Sequence, residues 1–428
     1  MHFVFTPPGE SAAGLLDLPW TVPLAEWDDA RLVEIRQRGL SRHTVRFVAE
    51  GGAVYALKEL DARLARREYR LLRELRSLGL PAVEVIGVVV DRPDQDAILV
   101  TRFLDHSSSY RALFANARYA HPTDRLLDAL VELLVRLHLA GFMWGDCSLS
   151  NVLFRLDAGA FAAYLVDAET AELHPSLSEG QRDYDVSLAR ERIAGELFDL
   201  AAAGTLPDDV DPIDVADDTV RRYQGLWDEL TREEILHPAE QRYRIAERLR
   251  RINSLGFDVD EVELVDVRST EGASGGVGGR PPSEGLPEGA RLRVRTRVAE
   301  PGHHRRILMA RTGLDAQENQ ARRLLNDIAA FRGHLERLHG GPVPEVVASN
   351  QWLAEVYEPV IKAIPPDLRD RLDDVELFHE VLEHRWYLSE RSGRDVGTST
   401  AAQDYFASVL PAVPPDLTES GRPPDTTS

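Results

Sequence analysis

Short runs rich in β-branched and aromatic residues, Val45–Val48 and Ala53–Lys58, flank a Glu50-Gly-Gly turn and predict a β-hairpin. Helical spacing follows from about 61 to 78. Two further apolar runs, Val83–Val90 and Ala97–Phe103, lie on either side of Asp91-Arg-Pro-Asp, whose composition is that of a turn. These pieces predict a small antiparallel sheet carrying one helix. Leu126, Leu130, Leu133, Leu134 and Leu137 then share one face of a helix predicted over 123–141. After it, Asn151–Arg155 and Ala163–Val166 read as short strands around a glycine-containing turn, and helical spacing prevails from about 183 to 253.

A tract rich in Gly, Ser and Pro at 269–289 separates two strand-like pieces, Glu261–Val267 and Arg291–Val298, and reads as a flexible insertion within a hairpin. The remainder to 410 is helical in pattern, notably 315–338 and 373–390, and 411–428 reads as a disordered tail. The expected organisation is an α+β chain: an amino-terminal segment (1–23), a sheet-bearing lobe (24–104), a mainly helical lobe (105–235), and a mostly helical accessory domain (236–410).

Composition narrows the function classes. Of 428 residues, 71 are acidic and 50 basic, a formal charge of −21, which argues against general binding to nucleic acid or anionic membranes. Cys147 is the single cysteine, so no internal disulfide exists. The longest apolar stretch, 126–144, is broken by Asp128, Glu132, Arg136 and His138 and cannot span a bilayer; with no secretory pattern at the start, a cytoplasmic location is expected. Lysine occurs only at Lys58 and Lys362 against 48 arginines, so each lysine invites a chemical reason.

Lys58 ends a predicted strand, and the next helix offers two carboxylate partners, Glu68 and Glu74. Leu64, Leu71, Leu75 and Leu78 define the expected buried face; Glu68 falls about 40° from Leu64 on it, whereas Glu74 lies among arginines. A carboxylate on a buried face needs a cation, and Lys58 is the obvious one. Downstream come Gly145-Asp146-Cys-Ser-Leu-Ser-Asn151 and, after a short apolar run, Asp167-Ala-Glu169. Asp, Asn five residues later, and a second Asp after a strand form an acidic set suited to ATP-dependent phosphoryl transfer. Asn151 and Asp167 offer hard oxygens for Mg²⁺, and Asp146 a base for an acceptor hydroxyl. His138 reads as a structural hydrogen-bonding residue and Cys147 as a small neighbour of Asp146.

With these residues in order, the stretch from about 31 to 230 resembles the protein-kinase-like superfamily, in particular its atypical bacterial lipopolysaccharide-kinase (Kdo kinase) branch. Leu137-His-x-x-Gly-Phe-x-x-Gly-Asp146-x-x-x-x-Asn151 resembles the catalytic loop of that branch and of aminoglycoside phosphotransferases. The resemblance implies a two-lobed fold using ATP and Mg²⁺. In it Lys58 meets the α/β-phosphates, Glu68 anchors Lys58, Asp146 is the catalytic base, and Asn151 and Asp167 hold Mg²⁺. Thr101–Leu104, with Arg102 and Phe103, would be a hinge reading adenine through its backbone. Phosphate cover departs from the family's glycine-rich loop: the corresponding turn, Arg38–Thr44, offers Gly39 and Ser41. Position 148 is Ser where the family commonly has Lys or His. Residues 236–410 resemble an uncharacterised bacterial domain that accompanies such regions. The function expected is phosphotransfer to a hydroxyl of a sugar or other small molecule. The alternative is a pseudokinase or nucleotide-responsive scaffold that binds a protein partner through its carboxy-terminal domain.

Other patterns are set aside. No Gly-Lys dipeptide exists, so there is no Walker A loop. His379 and His384 are five apart and point away from each other on a helix, and His303-His304 reads as a surface turn.

Overall fold

The computed structural model describes residues 1–5, 14–35, 43–115, 122–236, 241–266 and 292–413. The turn containing Gly39 and Ser41, the tract at 269–289 and the chain beyond 413 lie outside the described residues.

The amino-terminal lobe contains β1 (His2–Phe5), β2 (Leu32–Val33), β3 (Thr44–Glu50), β4 (Ala53–Leu60), α1 (Ala62–Ser77), β5 (Val85–Val90) and β6 (Ala97–Arg102). Its strands form one antiparallel sheet in the order β1-β5-β6-β4-β3-β2. Gly51 and Gly52, both at positive φ, close the β3–β4 turn, where other residues would be strained. Asp61 starts α1 by accepting hydrogen bonds from the N–H groups of Arg63 and Leu64. The buried face of α1 is Ala65, Glu68, Tyr69, Leu72 and Leu75, rotated from the expected leucine row: Leu78 is exposed, past the end of the helix. The rotation turns the Arg63–Arg76 stripe outward and drives Glu68 deeper than Leu64 and Leu71.

Strand alternation sends the other side of the sheet to a second cluster. Tyr55, Leu57, Ile86, Ile98 and Val100 pack there against Leu15, Leu18, Trp20, Leu24 and Trp27. The amino-terminal residues, expected as a segment ahead of the lobe, instead supply an edge strand and this covering layer. Arg92 pins the layer: its buried guanidinium pairs with Glu59 and donates to the carbonyls of Trp20 and Val22. With both faces covered, β5 is buried along its whole length.

The second lobe comprises β7 (Ser107–Ser108), α2 (Tyr110–Ala115), α3 (Thr123–Leu139), β8 (Phe142–Met143), β9 (Val152–Asp157), β10 (Ala160–Leu165), β11 (Glu172–Leu173), α4 (Glu179–Ala202) and α5 (Pro212–Thr231). Helix α3 is buried on most of its circumference, not only on the leucine face, because β10, α5 and the chain after it surround it. The expected strands after it form the hairpin β9–β10, with Phe154 opposite Ala163. Main-chain bonds from Val83 N–H to Leu165 O and from Leu165 N–H to Pro81 O tie the hairpin to the first lobe.

Beyond α5 the pattern is less helical than expected. β12 (Glu234–Leu236), α6 (Gln241–Ser254), β13 (Phe257–Asp266) and β14 (Leu292–Pro301) include a three-stranded antiparallel sheet, β12-β14-β13, so the hairpin reading around the glycine tract is met by a third strand. Ile252 and Phe257 enter the same core as α3. Helices α7 (His303–Thr312), α8 (Glu318–His339), α9 (Glu345–Trp352), α10 (Glu358–Lys362), α11 (Asp374–Ser392) and α12 (Thr398–Ser408) enclose a separate core around Trp352, Phe378 and Tyr405. His303 and His304, read as a surface turn, open α7 and bond to Asp258 and Glu318. No helix among the described residues is long and apolar enough to cross a membrane.

The helical region grips the tip of the β9–β10 hairpin. Buried Asp157 accepts from the N–H groups of Asn319 and Gln320 at the start of α8, at 3.1 and 2.7 Å, where the unpaired amides and helix dipole favour an anion. Glu376 of α11 accepts from Ala158 N–H at 2.8 Å and from Gln320 Nε2 at 2.7 Å. Tyr164 donates to Gln317 Oε1.

Candidate active site

A cavity of about 1060 Å³ lies between the two lobes. Lys58 reaches it because strand alternation puts its side chain on the α1 side of β4, with Ala56 and Leu60, while Tyr55 and Leu57 face the amino-terminal layer. Its ammonium sits 3.1 Å from Glu68 Oε2 and 2.7 Å from Asp167 Oδ2, with Glu169 Oε2 at 3.5 Å. One cation thus serves three carboxylates. Burial, and then the charge of Asp167, push the Glu68 carboxyl up to about 7 against the pull of Lys58. Burial alone would lower the Lys58 ammonium, but Glu68 and Asp167 outweigh it and raise it. Helix α1 and the Asp167 segment therefore hold Lys58 from two sides.

The loop from Trp144 to Asn151 carries the second group. Gly145 has φ +76°, and a Cβ there would come within 3.2 Å of Thr170 O, so the turn needs glycine twice over. Fully buried Asp185 of α4 accepts from the N–H groups of Trp144 and Gly145, at 2.7 and 2.8 Å, and lies 3.0 Å from His138 Nε2. His138 Nδ1 meets Tyr223 OH at 2.7 Å, so the histidine has a structural partner at each ring nitrogen. Glu196, also on α4, accepts from Leu149 and Ser150 N–H; burial raises its carboxyl above the usual range. Asn151 Nδ2 donates to Asp146 O at 3.0 Å, closing the loop on itself. Asp146 and Asn151 consequently face the same cavity as Lys58 and Asp167. Cys147 is buried beside them, and burial pushes its thiol far up, so it is not a reactive thiolate.

Arg102 and Phe103 also line the cavity. Their N–H groups are committed to Glu84 O and Val54 O, so any reading of a base through this hinge falls to its carbonyls and to the following residue. Lys362 is elsewhere, in an exposed pair with Glu358 one helical turn away. His379 and His384 have separate partners, Glu383 and Asp404.

Sequence reasoning missed Asp185, Glu196, Arg192 and His43, and it quoted Glu169 beside Asp167 without giving it a role of its own. Arg192 Nε lies 3.0 Å from Asp146 Oδ1, and His43 Nε2 lies 2.9 Å from Glu169 Oε2. A signal existed for two of them: Asp185 and Glu196 fall on the row Asp185, Ala189, Ile193, Glu196 and Leu200, whose other members are buried, and a carboxylate on such a row needs hydrogen-bond partners.

Among the described residues no group of three or more His, Cys, Asp or Glu side chains is arranged to hold a metal. The chemistry of the donor set nevertheless fits a cation that brings most of its own ligands: Asp167 offers a carboxylate and Asn151 an amide oxygen, since its Nδ2 is the atom used on Asp146. Mg²⁺ is typically held by one or two protein oxygens together with phosphate and water.

Residues 53–190 match the lipopolysaccharide kinase (Kdo/WaaP) family, and residues 225–274 and 284–410 match a domain of unknown function (DUF4032). No curated protein matches the chain. Among solved structures, an aminoglycoside-3'-phosphotransferase of type VIII aligns over 46% of this chain and 86% of its own, with 17% identity and a TM-score of 0.33. The sheet-bearing lobe, the helical lobe and the matched residues 53–190 make a kinase-like fold. The chain thus joins a region similar to the lipopolysaccharide kinase (Kdo/WaaP) family to a DUF4032 region that packs against its second lobe.

Proposed function

We propose that the protein transfers the γ-phosphoryl group of ATP, with Mg²⁺, to a hydroxyl of a sugar or other small molecule. The observation that carries this reading is the meeting, in one interlobe cavity, of Lys58 held between Glu68 and Asp167 with the Asp146–Asn151 loop. Phosphoryl transfer needs positioning and charge neutralisation more than covalent help from the protein. Lys58 presents an ammonium to phosphate oxygens and is kept from swinging away by two carboxylates. Asp146 orients the acceptor hydroxyl and takes its proton. Asn151 and Asp167 would hold Mg²⁺, which supplies charge neutralisation at the phosphates. Because Lys58 already shares Asp167 with two further carboxylates, the cluster is short of positive charge and suited to a divalent cation.

Thermal unfolding with ATP, with Mg²⁺, and with both tests the reading. A ligand at 100 times its dissociation constant adds about 2.7 kcal/mol, a readily measured shift. The expected result is a magnesium-dependent rise with ATP that is lost in Asp167→Asn and retained in Asp146→Asn, the latter variant failing to release or transfer phosphate. No rise in the wild type would sink the proposal.

A further inference from the structure

We propose that Arg192, on α4, is the cation that meets the transferring phosphoryl group; this rests on the phosphotransfer reading above. The catalytic loop itself supplies no positive charge near Asp146, since position 148 is a buried serine. The structure brings one in from α4. Helical spacing places Arg192 one residue before Ile193, whose side chain is buried in the lobe core, and three to four residues from Ala189 and Glu196 of the same row. The helix is therefore fixed against the loop by Asp185 and Glu196, while Arg192 emerges beside that row into the cavity mouth, 60% exposed, with Nε 3.0 Å from Asp146 Oδ1.

Other basic side chains lining the cavity are engaged elsewhere. Arg46 donates to Ala25 O, Arg102 faces Glu84 at 4.0 Å, and Lys58 is held at the opposite, phosphate-anchoring end. The acidic neighbours of Arg192 do not claim it: Glu196 is bonded to Leu149 and Ser150, and Asp199 faces Arg111 at 3.9 Å. An exposed ion pair such as Arg192–Asp146 adds little stability, so its position matters more than its strength. A guanidinium has five N–H donors in a planar fork that matches phosphate oxygens. In this structure it neutralises Asp146; as the γ-phosphoryl group arrives, the fork passes to the phosphoryl oxygens and frees the carboxylate. The acceptor oxygen then bonds to phosphorus, the bond from phosphorus to the β,γ-bridging oxygen breaks with its electron pair leaving on ADP, and the acceptor proton goes to Asp146.

The role is read from binding of MgADP alone and of MgADP with aluminium fluoride, a mimic of the phosphoryl group in transfer, by titration calorimetry. Wild type is expected to bind the fluoride complex more tightly than MgADP. Arg192→Ala should bind MgADP within about twofold of wild type, unfold at the same temperature without nucleotide, and lose at least tenfold of the aluminium-fluoride gain. Arg192→Lys should recover part of it. An undiminished gain in Arg192→Ala, an equal loss for MgADP, or no gain in the wild type would each overturn the assignment. Failure of the wild type to bind MgADP at all would instead remove the phosphotransfer reading, and the role of Arg192 with it.

Discussion

Asp185 shows how much a single buried carboxylate can organise. It touches no part of the cavity, yet it takes the two N–H groups that set the turn before Asp146 and holds His138 against Tyr223. Replacing it with Asn removes the charge and turns one acceptor into a donor facing donors. Asp185→Asn is expected to lower stability by about 3 kcal/mol, the scale for breaking a buried charged network, measurable by urea unfolding. Gly145→Ala should cost about 1–2 kcal/mol, because an L-residue at positive φ is strained and its methyl crowds Thr170 O. A variant as stable as wild type in either case would contradict this account of the loop.

At the scale of elements, the β9–β10 hairpin has the widest consequences. Asn151 immediately precedes β9 and Asp167 follows β10 by two residues, so one hairpin carries both candidate cation ligands. Its tip is held by α8 and α11 through Asp157, Gln320 and Glu376. Burial, moderated by hydrogen bonds from Gln320 and Ala158, pushes the Glu376 carboxyl up to about 7. The folded state therefore keeps a proton that the unfolded chain gives up near its ordinary value of 4.5. Stability from this group is fully present below pH 4.5 and is lost as pH rises through 7. The change amounts to about 3 kcal/mol, from about 1.4 kcal/mol per pKa unit. In Glu376→Gln the neutral amide cannot titrate, so the stability difference between wild type and variant should drift by that amount between pH 4.5 and 7.5 in chemical denaturation. A constant difference across the range would show that Glu376 does not hold its proton.

For the whole molecule, the two cores are distinct but not independent. Leu156 packs against both, and Asp157 beside it caps α8. Shared elements make partial unfolding costly, since freeing the helical region would break the bonds of Asp157 and Glu376 across the junction and expose the apolar surface of Leu156. Scanning calorimetry is expected to show one unfolding transition for the described domains. Asp157→Ala should lower its midpoint and broaden or split it, whereas two well-separated transitions in the wild type would contradict the coupling.

Much of this was legible in order along the chain. Apolar periodicity marks the β3–β4 hairpin, α1, α3 and the strands around Asn151 and Asp167, because burial of alternate or every third to fourth residue is a local pattern. The pairing of Lys58 with Glu68 in preference to Glu74 follows from helical geometry alone, even though the buried face proved to be rotated from the leucine row. Tertiary structure decided the rest. Whether Lys58 also meets Asp167, 109 residues away, depends on how the hairpin is docked under the sheet, and no local pattern encodes that docking. The same holds for the amino-terminal layer pinned by Arg92, for β12 joining a sheet with partners distant in sequence, and for Arg192 reaching Asp146. Sequence determines which residues must be buried and which chemistry they carry; the partners of charged groups across long loops are chosen only when packing brings the surfaces together and makes an unpaired charge too costly to leave.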